Sequence, residues 1–372
     1  MRGGAKKRVV ILGCTGSIGQ QTARIIREFR DDFTVAGLSA HSSEGGLLGL
    51  AEEFGCSNYA LTSREGPQAI REVLRKSGGD IAVNGISGAA GLLPSVWTLQ
   101  AGMDLALANK ETVVTAGRLI KELADKNKCR ILPVDSEHSA LFHLTEHFRG
   151  EAESLVLTAS GGPFRERPAG SFDSITVDEA LNHPTWSMGK KITLDSATLA
   201  NKGLEVIEAA YLFNMDGGHI SVVIHPQSIV HALIVTRSGE LYAQLSRPDM
   251  RHPILDALTY PASVHNGFEK LNLAGCALTF SPPRFKDFPM LPLAYRAVEL
   301  GPPGCIAYNG ANETAAEAFL SGKLLFTQFA EVVSRVMARC ARGRADTLEE
   351  ILALDRAARD EAQKIITQGM TE

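Results

Sequence analysis

Residues 8–29 read RVVILGCTGSIGQQTARIIREF, and their succession of apolar run, glycines and mixed polar run decides the fold. The first five, RVVIL, are a short β-branched stretch bounded by glycine, the look of a buried parallel strand. Glycines at 13, 16 and 19 follow at once, spaced G-x-x-G-x-x-G rather than the commoner G-x-G-x-x-G. Residues 20–29 place Ile25, Ile26 and Phe29 on one side of a helix, and a second strand is expected over 33–38. A β-turn-α-β unit of this kind gathers free backbone N–H groups and the positive end of a helix dipole at one point, which favours a bound pyrophosphate. A glycine turn between strand and helix is also a common structural device, and these residues alone leave both readings open. The end of the second strand, Leu38-Ser39-Ala40-His41-Ser42-Ser43, offers no acid for a ribose 2′-hydroxyl. Its hydroxyls and His41 either accept a 2′-phosphate or form a solvated loop.

The alternation continues outward from this unit. Helices are expected over 44–54 and 67–76, a strand over 81–84, and a helix from Leu93-Pro94 to 101. A strand over 104–107 ends in Ala108-Asn109-Lys110-Glu111, and another over 130–133 ends in Val134-Asp135-Ser136-Glu137-His138. In a doubly wound sheet, ligands collect beyond the carboxyl ends of the strands, where both polar clusters lie. Asp135 and Glu137 are spaced i, i+2, which in an extended segment points both carboxylates to one side. Two acids held together repel unless a cation sits between them, and hard oxygen donors suit Mg2+ or Mn2+ rather than zinc. An isolated D-x-E is also commonly a pair of solvated surface acids.

Three further segments carry chemistry. Residues 158–164, TASGGPF, follow an apolar strand at 154–157 and either present Ser160 and bare N–H groups to an anion or make a plain turn. Residues 182–190, NHPTWSMGK, set an imidazole, an indole and a thioether in a loop bounded by proline and glycine; such a loop suits a lid that expels water, or Trp186 simply packs into a core. In residues 194–210, Asp195 or Ser196 is expected to cap a helix whose start is a natural phosphate site. Asn201 and Glu205 are i, i+4 and Lys202 and Glu205 i, i+3, so all three share a face. A phosphate held by Ser196, Asn201 and Lys202 then lies about a turn from a carboxylate free to complete a metal site; the plain alternative is a Lys-Glu surface pair. Together the clusters point to an enzyme using a phosphorylated substrate, a divalent metal and a nicotinamide cofactor.

The composition of the whole chain bounds this reading. Its 372 residues suit two or three domains, and 44% hydrophobic with 22% charged residues describes an ordinary globular protein. A formal net charge of -4 provides no positive field to gather nucleic acid or anionic lipid, so an anionic substrate needs a local site. The six cysteines form no C-x-x-C pair, which fits a reducing, cytoplasmic compartment. The longest uncharged stretch, residues 81–103, is interrupted by Asn84, Pro94, Gln100 and glycines, so no membrane helix is expected. Residues 1–8 are basic but lead straight into a strand with no apolar leader, and nothing there marks export.

Eight motifs run in order through nearly the whole chain: GCTGSIG (13–19), GAAGLLP (88–94), LANKE (107–111), LPVDSEH (132–138), SGGPFRE (160–166), HPTWSMGKKITLDSATLANKGLE (183–205), HPQSIVH (225–231) and NGANE (309–313). With them the chain resembles the 1-deoxy-D-xylulose 5-phosphate reductoisomerase family of the non-mevalonate isoprenoid pathway. The resemblance implies rearrangement of 1-deoxy-D-xylulose 5-phosphate and NADPH-dependent reduction to 2-C-methyl-D-erythritol 4-phosphate. It implies Asp135, Glu137 and Glu205 as ligands of Mg2+ or Mn2+, with Lys110, Ser136 and Glu137 at the substrate's oxygens. Ser160, His183, Ser196, Asn201 and Lys202 would hold the phosphate or neighbouring hydroxyls, beside Glu205, and Trp186 and Met188 would belong to a mobile lid. Thr15, Gly16, Ser17 and Ile18 would cradle the cofactor pyrophosphate, and Asn109, Glu111 and Gly189 would lie along the dinucleotide.

Two departures from the family pattern stand out. His41-Ser42-Ser43 replaces a commonly basic turn after the second strand, and the stretch 62–80 is abbreviated. The expected architecture is α/β: a Rossmann-like doubly wound domain over 1–130, a central α/β catalytic and dimerisation domain over 131–280, a proline-rich connection at 281–292 and a C-terminal α-helical domain over 293–372. Strands at 220–224, 229–236 and 241–244 would form a homodimer sheet, and helices at 293–300, 309–321, 327–342 and 355–368 a structural brace. Three rival functions share parts of this sequence: a simple dehydrogenase, which needs no carboxylate triad; a metal-dependent aldolase, which needs no NADPH; and a non-catalytic cofactor-binding protein.

Overall fold

Why residues 8–12 form a strand is plain from their surroundings: Val9, Val10, Ile11 and Leu12 are all fully buried, as only a central strand covered on both faces can be. The computed structural model describes residues 5–186 and 188–369; residues 1–4 of the basic start lie outside it. The elements along the chain are β1 (Lys7–Leu12), α1 (Ser17–Glu28), β2 (Phe33–Ala40), α2 (Glu44–Phe54), β3 (Tyr59–Leu61), α3 (Thr62–Glu65), α4 (Ala69–Ser77), β4 (Ile81–Asn84), α5 (Leu92–Gln100), β5 (Asp104–Leu107), α6 (Lys110–Asn127), β6 (Ile131–Pro133) and α7 (Ser136–His147). They continue as β7 (Ala152–Ala159), α8 (Val177–Ala180), α9 (Lys190–Thr198), α10 (Ala200–Phe213), β8 (Ile220–Ile224), β9 (Val230–Thr236), β10 (Leu241–Leu245), α11 (Arg251–Thr259), α12 (Met290–Leu300), α13 (Pro302–Leu320), α14 (Phe329–Cys340) and α15 (Leu348–Gln368).

The chain forms two compact units that interleave along the sequence. The first takes residues up to Thr112, Ile120–Ser139 and Asp249–Glu269; the second takes Val113–Leu119, Ala140–Pro248 and the residues from Lys270 onward. In the first unit six parallel strands run in the order β3-β2-β1-β4-β5-β6, the doubly wound dinucleotide-binding arrangement. The strand order reverses between β1 and β4, where Val9 pairs with Val35 on one side and Ile81 on the other, and the loops after β1 and β4 meet at this switch point. Helix α1 begins at Ser17, inside the glycine motif, not at residue 20 as the apolar spacing suggests, because Gly16 already has the extended conformation of an N-cap. Helix α11, which the sequence pattern did not reveal, belongs to this unit: Lys7 Nζ donates to Leu258 O at 2.8 Å, and Arg251 reaches Glu28 at 3.6 Å.

The second unit holds a mixed four-stranded sheet, β10-β9-β7-β8, in which β7 and β8 are parallel and the other neighbours antiparallel. Leu155, Leu157 and Ile234 of the sheet share one core with Ile207 of α10, Ala294 of α12 and Tyr308 of α13. Helix α13 is buried over most of its surface, as a helix in the centre of a helical layer must be. It starts at Pro302, not at Asn309: Gly301 and two prolines open it, and Asn309 is a buried interior residue rather than a cap. Helix α15 likewise starts before residue 355, where Thr347 and Glu350 make a reciprocal capping box. Among the described residues no helix is long and apolar enough to cross a membrane, and the six cysteines are free thiols.

Candidate active site

The first unit contributes a glycine turn that opens into a helix N-terminus. Gly13 adopts φ +77°, which favours glycine, and Gly16 N donates to Gly13 O at 3.0 Å. A Cβ at Gly19 would stand 2.4 Å from Gly13 O and 2.5 Å from Cys14 Cα, so α1 approaches β1 closely only because residue 19 has no side chain. The first turn of α1 has neither a capping side chain nor an acid, leaving its N–H groups and positive dipole end for a ligand. Thr15 and Ile18 are half-buried around this turn, and Gly16 and Ser17 are exposed. Ser39 ties the end of β2 to it, accepting from Gly13 N at 3.3 Å through its hydroxyl. His41 turns toward α3, its Nδ1 lying 3.0 Å from Thr62 Oγ1.

At the ends of β5 and β6 the same unit builds a charged cluster. Asn109 caps α6 by accepting from Thr112 N at 2.9 Å, while its Nδ2 donates to Ile86 O and Gly88 O, fastening the loop after β4. That cap places Lys110 and Glu111 in the first turn of α6, both buried. Lys110 Nζ lies 2.6 Å from Asp135 Oδ2, and His138 Nδ1 lies 2.8 Å from the same oxygen. Burial by itself pushes the Asp135 carboxyl up, but the Lys110 charge and the His138 contact outweigh it and hold that carboxyl well below the usual range. Asp135 and Glu137 do not sit on one extended segment, contrary to their i, i+2 spacing. Strand β6 ends at Pro133 and α7 begins at Ser136, so Glu137 is helical and accepts from Ser136 Oγ at 2.5 Å. His138, fully buried, received no role from the sequence; its i, i+3 spacing from Asp135 across a helix start was the available signal.

The second unit contributes a histidine bridge and a helix pair. His183 Nε2 lies 3.1 Å from both Ser160 Oγ and Ser196 Oγ, joining the turn after β7 to α9. Its Nδ1 accepts from Thr185 N at 3.1 Å and Trp186 N at 2.9 Å, which leaves the proton of the neutral ring on Nε2. Burial, with the Arg165 charge adding to it, lowers the imidazole pKa from its ordinary value. Trp186 and Met188 are half-buried, so Trp186 is neither core nor free, and exposed Gly189 caps α9. A groove of about 460 Å3 opens beside the bridge, lined in part by Phe164, Arg165, Asn182 and Pro184.

Segment 194–210 is not a single capped helix. Leu199, at φ +59°, separates α9 from α10, and Asp195 and Ser196 lie inside α9. Asp195 is 1% exposed, paired with Lys191 at 2.6 Å and accepting from Asn312 Nδ2 at 3.0 Å. On α10, Asn201 Nδ2 donates to Glu205 Oε1 at 2.6 Å and Lys202 Nζ ion-pairs with Glu205 Oε2, so these three do share a face. Lys202 and Glu205 are 3% and 1% exposed, which excludes the surface-pair alternative. The structure thus gathers Lys110, Asp135, Ser136 and Glu137 in one unit, and Ser160, His183, Ser196 in one group and Asn201, Lys202, Glu205 in another within the second.

Comparison with known proteins places these groups in context. The family model described as 1-deoxy-D-xylulose 5-phosphate reductoisomerase matches residues 9–66 and 49–117, that of its C-terminal domain matches 131–213, and the DXP reductoisomerase C-terminal domain matches 245–361. A 1-deoxy-D-xylulose 5-phosphate reductoisomerase of Treponema denticola is 44% identical over 95% of this chain and 96% of its own. That of Treponema pallidum is 44% identical over 98% and 99%. A crystal structure of DOX-P reductoisomerase in complex with NADPH, fosmidomycin and magnesium superposes with a TM-score of 0.91 at 37% identity, over 97% of this chain and 98% of the other. The Zymomonas mobilis enzyme in complex with NADPH gives 0.89 at 31% identity, over 97% and 99%.

Proposed function

Because the chain belongs to the 1-deoxy-D-xylulose 5-phosphate reductoisomerase family, we propose that it rearranges 1-deoxy-D-xylulose 5-phosphate and reduces the product to 2-C-methyl-D-erythritol 4-phosphate, using NADPH and Mg2+ or Mn2+. The observation that carries this reading is the set of carboxylates held by lysines in protected positions, Asp135 by Lys110 and Glu205 by Lys202. Each acid has a lysine as its countercharge, and carboxylate oxygens are hard donors that suit a hard dication. Asp135, Glu137 and Glu205 are its proposed ligands. When bound, the metal supplies Lewis-acid polarisation of the substrate's oxygens, and NADPH supplies the hydride.

The chain's own residues do the rest. Thr15, Gly16, Ser17 and Ile18 seat the cofactor pyrophosphate at the N-terminus of α1, which no side chain caps. Asn109, Glu111 and Gly189 are proposed to lie along the dinucleotide. Lys110 Nζ, beside Asp135, donates to substrate oxygens and stabilises charge developing there, with Ser136 and Glu137 at neighbouring hydroxyls. Ser160, His183, Ser196, Asn201 and Lys202 hold the phosphate, and the loop carrying Trp186 and Met188 closes over it to exclude water. Binding energy from the phosphate, remote from the reacting carbons, is then available to hold that closed state. In this division of labour the first unit binds NADPH and supplies Lys110, Asp135, Ser136 and Glu137, the second supplies the phosphate ligands and dimer contacts, and its helices from residue 293 onward brace α9 and α10. The working form is a cytoplasmic homodimer.

The test is a cofactor-oxidation assay. NADPH absorbance should fall only when the sugar phosphate and Mg2+ or Mn2+ are both present, with NADH run in parallel because His41-Ser42-Ser43 replaces a basic turn. Glu205→Gln should reduce turnover by about 1,000-fold or more, roughly 4 kcal/mol of transition-state stabilisation, while NADPH binding is retained. Metal-independent oxidation would favour a simple dehydrogenase, and sugar-phosphate conversion without NADPH oxidation an aldolase.

A further inference from the structure

The motif NGANE at 309–313 lies on α13 and holds none of the residues assigned to chemistry, yet two of its polar side chains are fully buried. Asn312 is 0% exposed and donates through Nδ2 to Asp195 at 3.0 Å; its Oδ1 has no hydrogen-bond partner. The amide therefore serves as a donor to one carboxylate.

That carboxylate sits where α9 most needs a tether. A continuous helix would fix α9 relative to α10, but Leu199 at φ +59° ends one and starts the other. A left-handed, non-glycine joint interrupts the hydrogen-bond ladder, so helical continuity does not set the rotation of α9 about its axis. Asp195 and Ser196 are consecutive, about 100° apart around that axis, so a rotation that parts Asp195 from Asn312 also carries Ser196 away from His183. Helix α13 packs closely on α10 as well: Tyr308 OH, which donates to Met290 O at the start of α12 at 3.1 Å, stands 2.6 Å from where a Cβ on Gly203 would be, next to Lys202. One buried helix thus bonds to α9 and packs against α10, the two helices that carry the proposed phosphate ligands.

We propose that Asn312 is a positioning residue for the phosphate subsite: by holding Asp195 it fixes the rotation of α9 and keeps Ser196 Oγ against His183 Nε2. This rests on the reading of Ser196 and His183 as phosphate ligands. Lys191 remains beside Asp195 when the amide is removed, at 2.6 Å, so the carboxylate keeps its countercharge and α9 stays folded.

The test compares Asn312→Ala, Asn312→Asp, the exchange Asp195→Asn with Asn312→Asp, and Ser196→Ala, each measured for KM and kcat with the sugar phosphate, competitive inhibition by inorganic phosphate, and NADPH affinity. For Asn312→Ala the expected result is a KM and a phosphate inhibition constant both raised about tenfold, with kcat changed less than about threefold and NADPH affinity unchanged. Asn312→Asp, which faces one carboxylate with another, should lose more, and the exchange should recover KM to within about threefold of the unsubstituted protein by restoring an amide-carboxylate pair without opening a cavity. The proposal falls if Ser196→Ala weakens phosphate inhibition but Asn312→Ala leaves KM and phosphate inhibition unchanged, or if the exchange is no better than Asn312→Asp. If Ser196→Ala itself leaves phosphate inhibition unchanged, the phosphate reading falls and takes this proposal with it.

Discussion

A single methyl group separates the glycines of the first turn. At Gly19 an added Cβ meets backbone atoms at 2.4 and 2.5 Å, which no side-chain adjustment relieves, so α1 must move away from β1. At Gly16 the nearest atom is Gly13 O at 3.3 Å and φ is an ordinary -79°. Gly19→Ala is therefore expected to cost about 2 kcal/mol of stability and to weaken NADPH binding at least about tenfold, whereas Gly16→Ala stays within about 1 kcal/mol. Thermal melts and a fluorescence titration with NADPH check both; equal behaviour of the two variants would contradict the close-approach argument. The spacing of 13, 16 and 19 was legible as a turn, but which glycine bears the packing was not, because that depends on how closely β1 and α1 approach. Lys202 and Glu205 show the same limit. Their shared face follows from helical spacing, while their burial follows from the layer of helices packed over them.

At the level of elements, the loop that leads into α9 is organised by one imidazole. Nδ1 of His183 accepts two backbone N–H groups, and protonation there would remove that acceptor. Burial, then the Arg165 charge, lowers its pKa below the ordinary 6.5. Between the native value and 6.5 the unfolded chain binds the proton and the folded one does not, so stability rises with pH through that window, is complete above it, and is lost as pH falls through it. Denaturant melts of the ligand-free protein should show this slope, and the stability difference between the unsubstituted protein and His183→Gln should shrink as pH falls below about 6.5. A difference independent of pH would show that the imidazole is not the group that titrates. Two element boundaries near the site were illegible for physical reasons. The break at Leu199 has no glycine or proline to announce it, since packing rather than local preference imposes its positive φ. Residues 135–137 read as the end of a strand because β6 is only 3 residues long and leaves little pattern before α7 takes over.

At the scale of the whole molecule, local pattern gave the alternation of strands and helices that makes the first sheet, yet not the return of Asp249–Glu269 to that unit, because an amphipathic helix does not encode which distant sheet will cover its apolar face. Quaternary structure raises the same question for the second sheet. Among the described residues β10 pairs only with β9, and Leu241 on it is 59% exposed, whereas the opposite edge strand β8 is bridged at Ile224 by Ser281. An open strand with an exposed leucine invites pairing unless something covers it. A second copy of the chain is the proposed cover, and light scattering should then give twice the chain mass of 39.9 kDa. Placing lysines at Leu241 and Ala243 puts like charges opposite one another across such an edge and should shift the protein toward the single-chain mass on dilution, with the monomer's melting curve still cooperative. A double mass that persists undiminished in the lysine variant would move the dimer contact elsewhere on the surface, and a single-chain mass for the unsubstituted protein would remove the homodimer.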